Sequence, residues 1–262
     1  MSSRRQSRTR HVLPALGAVA GIAGVWYALS YLALSPARRF LLPPPHEAFA
    51  TALGNQQVRE AIFEALGRTA LVAVSGLALA VAVGVGYAVL MSQWSPVETI
   101  LYPYAVILQT VPILALVPLI GIWLGYGYAA RVAVCVVIAL FPIISNTLAG
   151  LQSAAREAHD VFTLRRATRW QRLSKLQLPA AVPSLFVGLR TAAGLSVIGA
   201  IVADFYFEQG SPGIGGLLRL YTQQLQTEAL FTTVTLTALL GVAVFTVFAV
   251  LDRFVVGRWY GR

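Results

Sequence analysis

Few residues in this chain are equipped for chemistry, and their spacing narrows what they can do. Arg190, Gly194, Val197, Ile201, Asp204 and Glu208 follow one another at steps of four and three, so a helix carries them as one stripe. Charged groups in so apolar a stretch reach for the membrane boundary, pair with a neighbouring helix, or line a polar path. Asp252 closes another apolar run. His11, His46 and His159 are scattered without metal-ligand spacing, and Cys135 stands alone, which leaves no basis for a metal site. The sole lysine, Lys175, has no glycine before it, so a G-x-x-x-x-G-K-[ST] phosphate loop is ruled out. Neither H-E-x-x-H nor G-x-S-x-G occurs. The expectation is a chain without catalytic residues or a cofactor of its own.

The densest polar stretch is 151–182, an island between apolar runs that holds Arg156, Arg165, Arg166, Arg169, Arg172 and Lys175. Gln152–Leu164 has helix-forming composition, with an apolar stripe of Ala154, Ala158, Val161 and Phe162. A basic turn, Thr168-Arg169-Trp170, leads to a second helix, Gln171–Leu178, which Pro179 and Pro183 are expected to stop before the chain re-enters the membrane. Two fates suit such a projection. It lies on acidic lipid, or it docks on a partner.

The elements that carry these residues are membrane spans. Hydrophobic residues make up 57% of the chain and charged residues 11%, with a mean hydropathy of +0.71, whereas a soluble domain carries about 25% charged residues. Apolar runs of roughly span length fall at 12–34, 67–91, 98–117, 129–150, 183–206 and 229–252. The expected fold is therefore all-α and polytopic, with about six transmembrane helices. Arg4, Arg5, Arg8 and Arg10 precede the first run, which is longer than the ~7–15 residues of a signal-peptide core, so an uncleaved first span is expected.

Six spans place both termini on one side. The basic tails 1–11 and 253–262 and the loop 151–182 then share the cytoplasmic side, and 35–66 lies outside with Pro43-Pro44-Pro45 and a short amphipathic helix near Val58–Leu66. The net charge of +10 follows this positive-inside pattern and does not indicate nucleic-acid binding. Within the core, 67–252, the third run is broken by Pro103, Pro112 and Pro118. Broken helices persist in a membrane where protein or a watery cavity covers the freed backbone.

At the loop, the sequence resembles the permease subunits of bacterial binding-protein-dependent ABC importers. Their cytoplasmic EAA loop reads Glu-Ala-Ala, three residues, Gly, nine residues, Ile-x-Leu-Pro. Counting back from Leu178-Pro179 sets Leu176 at the Ile position, Arg166 at the Gly position and Asp160-Val161-Phe162 on Glu-Ala-Ala. Glycine suits a turn with positive φ and arginine does not, so this turn is expected to stay near right-handed helical geometry or to differ in angle. Leu42-Pro43-Pro44-Pro45, Gln109-Thr-Val-Pro112, Phe186-Val-Gly-Leu-Arg190 and Ala203-Asp204-Phe205 also look like the family, in its branch for sulfonates, taurine, nitrate and heteroaromatic vitamin precursors such as a thiamine pyrimidine precursor or riboflavin.

The resemblance implies the type I importer permease fold in a bacterial inner membrane. It implies a second permease chain, expected to be a homodimer partner, two cytoplasmic ATPases that hold ATP and Mg, and an extracytoplasmic solute-binding protein. Asp160, Val161, Phe162, Leu164, Arg165, Arg166, Ala167, Thr168, Arg169 and Trp170 would form the ATPase-coupling element, ending at Leu178 and Pro179. Gln109, Arg190, Gly194, Asp204 and Glu208 are the candidate pathway residues. The alternative reading is an autonomous secondary carrier or channel, for which no ionisable relay deep in a span is seen.

Overall fold

A computed structural model describes residues 17–207 and 209–260. The expected tail 1–11, the start of the first span, Glu208 and the last two residues lie outside the described residues. The fold is all-α, and no strand occurs among the described residues. In chain order the helices are α1 (Gly17–Ala33), α2 (Pro45–Gly54), α3 (Gln56–Gln93), α4 (Ser95–Thr110), α5 (Ile113–Leu124), α6 (Tyr128–Gln152), α7 (Arg156–Leu164), α8 (Arg169–Arg172), α9 (Leu178–Tyr206), α10 (Ile214–Gln223) and α11 (Thr227–Tyr260).

Among the described residues four helical runs are long and apolar enough to cross a membrane alone: Gln56–Gln93, Tyr128–Gln152, Arg169–Tyr206 and one beginning at Thr227. The expected third span, 98–117, is instead a pair. Helices α4 and α5 meet at a 100° bend across Val111-Pro112, because Pro112 has no N–H to continue α4 and its ring excludes the helical approach. The short helix expected near Val58–Leu66 is not separate. It is the first part of α3, which Asn55 starts by accepting the Gln57 N–H at 3.0 Å; no proline occurs between Pro45 and Pro96 to interrupt it. Helix α11 likewise runs through the expected span 229–252 and on to Tyr260.

The chain divides into two compact units. In the unit formed by 1–62 and 218–235, the proline stop is tied down by side chains. Trp26 Nε1 donates to the Pro43 carbonyl at 3.0 Å, Ser30 Oγ to the Leu42 carbonyl at 2.8 Å, and Thr232 Oγ1 to the Ala48 carbonyl at 3.0 Å. Trp26 packs on Phe231 with ring centroids 5.5 Å apart.

The unit formed by 63–217 and 236–262 is built on the antiparallel pair α6–α9. Small residues set the approach of the two backbones. A Cβ at Gly150 would lie 2.8 Å from Ala181 Cα, and one at Gly199 would lie 3.0 Å from Cys135 Cα. Leu77 and Ala80 of α3 close one side over Ala139, Ile143, Ala192 and Ala193, all buried. Ala130 and Val134 of α6, Val117 and Ile120 of α5 and Phe207 form a further cluster.

Candidate coupling loop and translocation site

The polar island forms a projection with a buried foot. Leu151 and Leu173 are 0% and 3% exposed within a cluster that includes Met91, Leu140, Ile144 and Leu148. Beyond that foot the apolar side chains turn outward: Val161 is 49%, Trp170 71% and Leu164 84% exposed. Phe162 and Ala167 are half-buried, and Asp160, Arg165, Arg166, Thr168 and Arg169 are exposed. Arg172 Nη2 ties α8 to α7 by donating to Thr163 Oγ1 at 2.9 Å. The Arg169 guanidinium sits 5.2 Å over the Trp94 ring, which fixes the turn against the chain between α3 and α4.

The turn itself corrects the expectation for Arg166. Its φ is +47°, so an arginine adopts the left-handed geometry that glycine would adopt. The reason is the pattern of hydrogen bonds that closes α7. Ala167 N–H donates to the Phe162 carbonyl at 2.9 Å and Arg166 N–H to the Thr163 carbonyl at 3.0 Å, the paired closure that places one left-handed residue after a helix. Thr168 then starts α8 with a reciprocal cap: Gln171 N–H donates to Thr168 Oγ1 at 3.2 Å, and Thr168 N–H to Gln171 Oε1 at 2.9 Å.

Pro179 and Pro183 do not stop the second helix, as the sequence alone suggested. The run Arg169–Tyr206 is one continuous helical stretch. Residues Leu173–Gln177 form a π turn directly before α9, and such a widened turn relieves the crowding a proline ring imposes on the carbonyl four residues back. Leu178 and Pro179 are thus the first residues of the long helix α9 and join the projection to the membrane without a break.

On α9 the expected stripe faces neighbouring helices. Arg190 Nη1 stands 3.0 Å from Asp252 Oδ2 of α11, with its guanidinium 5.5 Å over the Phe245 ring. Gly194 is half-buried, and Val197 is packed with Val72, Ala73, Cys135 and Ala200. Asp204 is 2% exposed. Its Oδ1 lies 3.1 Å from Arg131 Nη1, and its Oδ2 accepts a 2.7 Å hydrogen bond from Thr69 Oγ1. Arg131 also donates through Nη2 to the carbonyls of Phe207, at 3.1 Å, and Gln209, at 3.0 Å. Thr69 Oγ1 accepts the Ile214 N–H at 2.9 Å. The segment after α9 is therefore clasped from both sides. Gly213 and Gly215 press on it so closely that a Cβ at either would collide, with the Asp204 carboxylate at Gly213 and with the Ile201 carbonyl at Gly215.

Arg131 and Thr69 were not among the sequence candidates. The signal was present: Arg131 opens the fourth expected span where Asp204 closes the fifth, on the same side of the membrane, and a buried acid demands a counter-charge. Gln109 has a different setting. It lines a cavity of about 490 Å³ that the α4–α5 bend forms with α6 and α9, together with Asn146 and Thr191. Arg190, Gly194 and Asp204 do not line it.

With this geometry in view, the comparison with known proteins decides the family. Residues 83–258 match the binding-protein-dependent transport system inner membrane component family. The chain belongs to that family. The permease is 32% identical over 214 residues to the formylaminopyrimidine transport permease protein ThiX of Halalkalibacterium halodurans, covering 82% of this chain and 84% of that one. It is 33% identical over 162 residues to the riboflavin transport system permease protein RibX of Chloroflexus aurantiacus, covering 62% of this chain and 59% of that one. Against the taurine transport system permease protein TauC of Escherichia coli it is 27% identical over 248 residues, covering 93% and 86%. The permease is thus an ABC importer membrane component of the branch that includes these proteins.

Proposed function

We propose that the chain forms the translocation pathway of an ATP-driven importer for a small organic solute, working as a pair of permease chains with two cytoplasmic ATPases and an extracytoplasmic solute-binding protein. The relatives' names span formylaminopyrimidine, riboflavin and taurine, so the solute is either a sulfonate- or nitrate-like anion or a heteroaromatic vitamin precursor. The ATPases supply ATP and Mg; this chain supplies the docking element and the path. The proposed orientation places both termini and the loop on the cytoplasmic side.

The observation that carries the proposal is the contrast within the loop. Leu173 is 3% exposed at its foot, while Leu164 and Trp170 are 84% and 71% exposed at its tip. Apolar side chains held out by a capped, rigid scaffold suit an interface centre in which aromatic and aliphatic anchors carry the binding energy. The arginines around them, Arg165 and Arg166 above all, suit an acidic rim that steers association. Motion of the docked ATPases would pass through α8 directly into α9, because the helical run is unbroken. Co-expression with an ABC ATPase encoded beside this chain tests this reading: the wild-type chain should co-purify with it and support ATP-dependent uptake in vesicles. Uptake by this chain alone without ATP would overturn it.

A further inference from the structure

The cavity beside the α4–α5 bend has a chemical character that separates the two solute classes. Its volume, about 490 Å³, lies within the range of small-molecule sites. Every residue that lines it is uncharged. The nearest arginine in sequence, Arg190, is engaged by Asp252 at 3.0 Å and does not line it.

The hydrogen-bonding groups are weighted toward acceptors. Thr191 Oγ1 donates to the Val187 carbonyl at 3.2 Å, and Ser145 Oγ to the Pro142 carbonyl at 3.4 Å, so each hydroxyl oxygen keeps only lone pairs for a visitor. Asn146 Nδ2 donates to the same Pro142 carbonyl at 2.8 Å, which leaves its Oδ1 and one N–H. The Gln109 side chain makes no hydrogen bond among the described residues and keeps its whole amide. The two prolines add to this. A proline has no N–H for the carbonyl four residues back. Pro112 therefore deprives Leu108 of its helical donor, and Pro142 deprives Ile138; both residues line the cavity. Phe141 contributes an aromatic wall.

An anion such as a sulfonate or nitrate is an acceptor alone. In this cavity it would meet acceptor oxygens, few N–H groups and no cation, and a charge taken out of water without a partner is strongly disfavoured. A neutral ring that carries N–H or amino donors meets the opposite situation, since it satisfies the acceptors and stacks its face on an aromatic side chain. Taking the chain as the permease proposed above, we infer that this cavity is a solute site within the permease itself and that it takes an uncharged, donor-bearing planar heterocycle in preference to a sulfonate or nitrate anion.

The test is ligand protection in the full-length chain in lipid nanodiscs. Ser145→Cys is introduced in a Cys135→Ala background, and its alkylation rate by a maleimide is measured with 4-aminopyrimidine or methanesulfonate at equal concentration. The expected result is alkylation slowed at least threefold by 4-aminopyrimidine and unchanged by methanesulfonate. Gln109→Arg, at an exposed position in the last turn of α4 where a cation suits the helix dipole, should reverse the order and let methanesulfonate protect. If methanesulfonate protects the parent chain as well as 4-aminopyrimidine does, or if neither protects it, the inference is overturned. Co-purification with the ATPase, run on the same preparation, keeps the two readings apart: its loss counts against the permease proposal, and protection by the wrong probe counts only against the solute class.

Discussion

Thr69 Oγ1 stands 2.7 Å from Asp204 Oδ2 and 2.9 Å from the Ile214 backbone nitrogen. One hydroxyl thus donates to the carboxylate at the end of α9 and accepts from the first residue of α10. Arg131 completes the arrangement by neutralising Asp204, 3.1 Å away, while holding two carbonyls of the intervening segment. The cluster is a clasp whose parts depend on one another, since Thr69, Arg131 and Asp204 are all buried and meet one another through the ion pair and the hydroxyl.

Asp204→Asn should therefore destabilise the chain as a whole. Removing one partner of a buried ion pair leaves the other charge uncompensated, at a cost of about 3–5 kcal/mol. Arg131→Gln should cost a similar amount, and the double variant should recover part of the loss. Thermal unfolding in detergent, read as a double-mutant cycle, measures this; additive losses without recovery would show that the two charges are not coupled.

Leu164→Asp should leave the permease fold intact and weaken its association with the ATPase. The side chain is 84% exposed and contributes little to packing, whereas loss of an anchor at an interface centre costs ~2 kcal/mol or more, which is over tenfold in affinity. A pull-down titration and a melting curve on the same protein separate the two effects. Normal association would favour helices that rest on the lipid surface.

Arg166→Gly should stabilise the loop. A side chain at φ +47° works against the steric preference of L-residues, a penalty of roughly 1–2 kcal/mol that glycine avoids. The expected outcome is slower proteolysis within 151–182, with slower association to the ATPase because the rim loses one charge. Arg166→Val should do the reverse, because a β-branched residue tolerates that region least. Faster cleavage of the glycine variant would show that the arginine side chain contributes more than its backbone costs.

Thr168→Cys in a Cys135→Ala background should react with an impermeant thiol reagent in inverted vesicles and not in intact cells. Thr168 is an exposed cap at the head of α8, while Cys135 is fully buried and its replacement by alanine leaves the α6–α9 approach unobstructed. Labelling from outside intact cells would invert the proposed orientation.

The sequence made the all-α membrane fold legible through hydropathy alone, and the loop through its charge and its Leu178-Pro179 end. What it hid depends on distance in space. Periodicity places Arg190 and Asp204 on one face of α9 but does not say which helix that face meets, so their partners Asp252 and Arg131 stayed hidden. The bend at Pro112 was visible as three prolines, but its 100° angle follows from how α5 packs on α6 and α9. Arg166 looked incompatible with a left-handed turn because propensity weighs one residue, whereas the two hydrogen bonds that close α7 over-determine its geometry. Pro179 looked like a stop because the π turn that accommodates it has no sequence signature of its own.

That π turn at Leu173–Gln177 has a consequence for where the docking surface points. A widened turn amounts to one residue inserted into an α-helix, and each residue of an α-helix advances the chain by about 100° and 1.5 Å. Rewinding this turn as regular α-helix without shortening the chain would swing Arg169 and Trp170 roughly 100° round the axis of α9, away from Trp94. The compass bearing of the cytoplasmic surface relative to the membrane helix is thus set by how this one turn is wound, and a regular helix of the same length would present the same side chains to an empty direction.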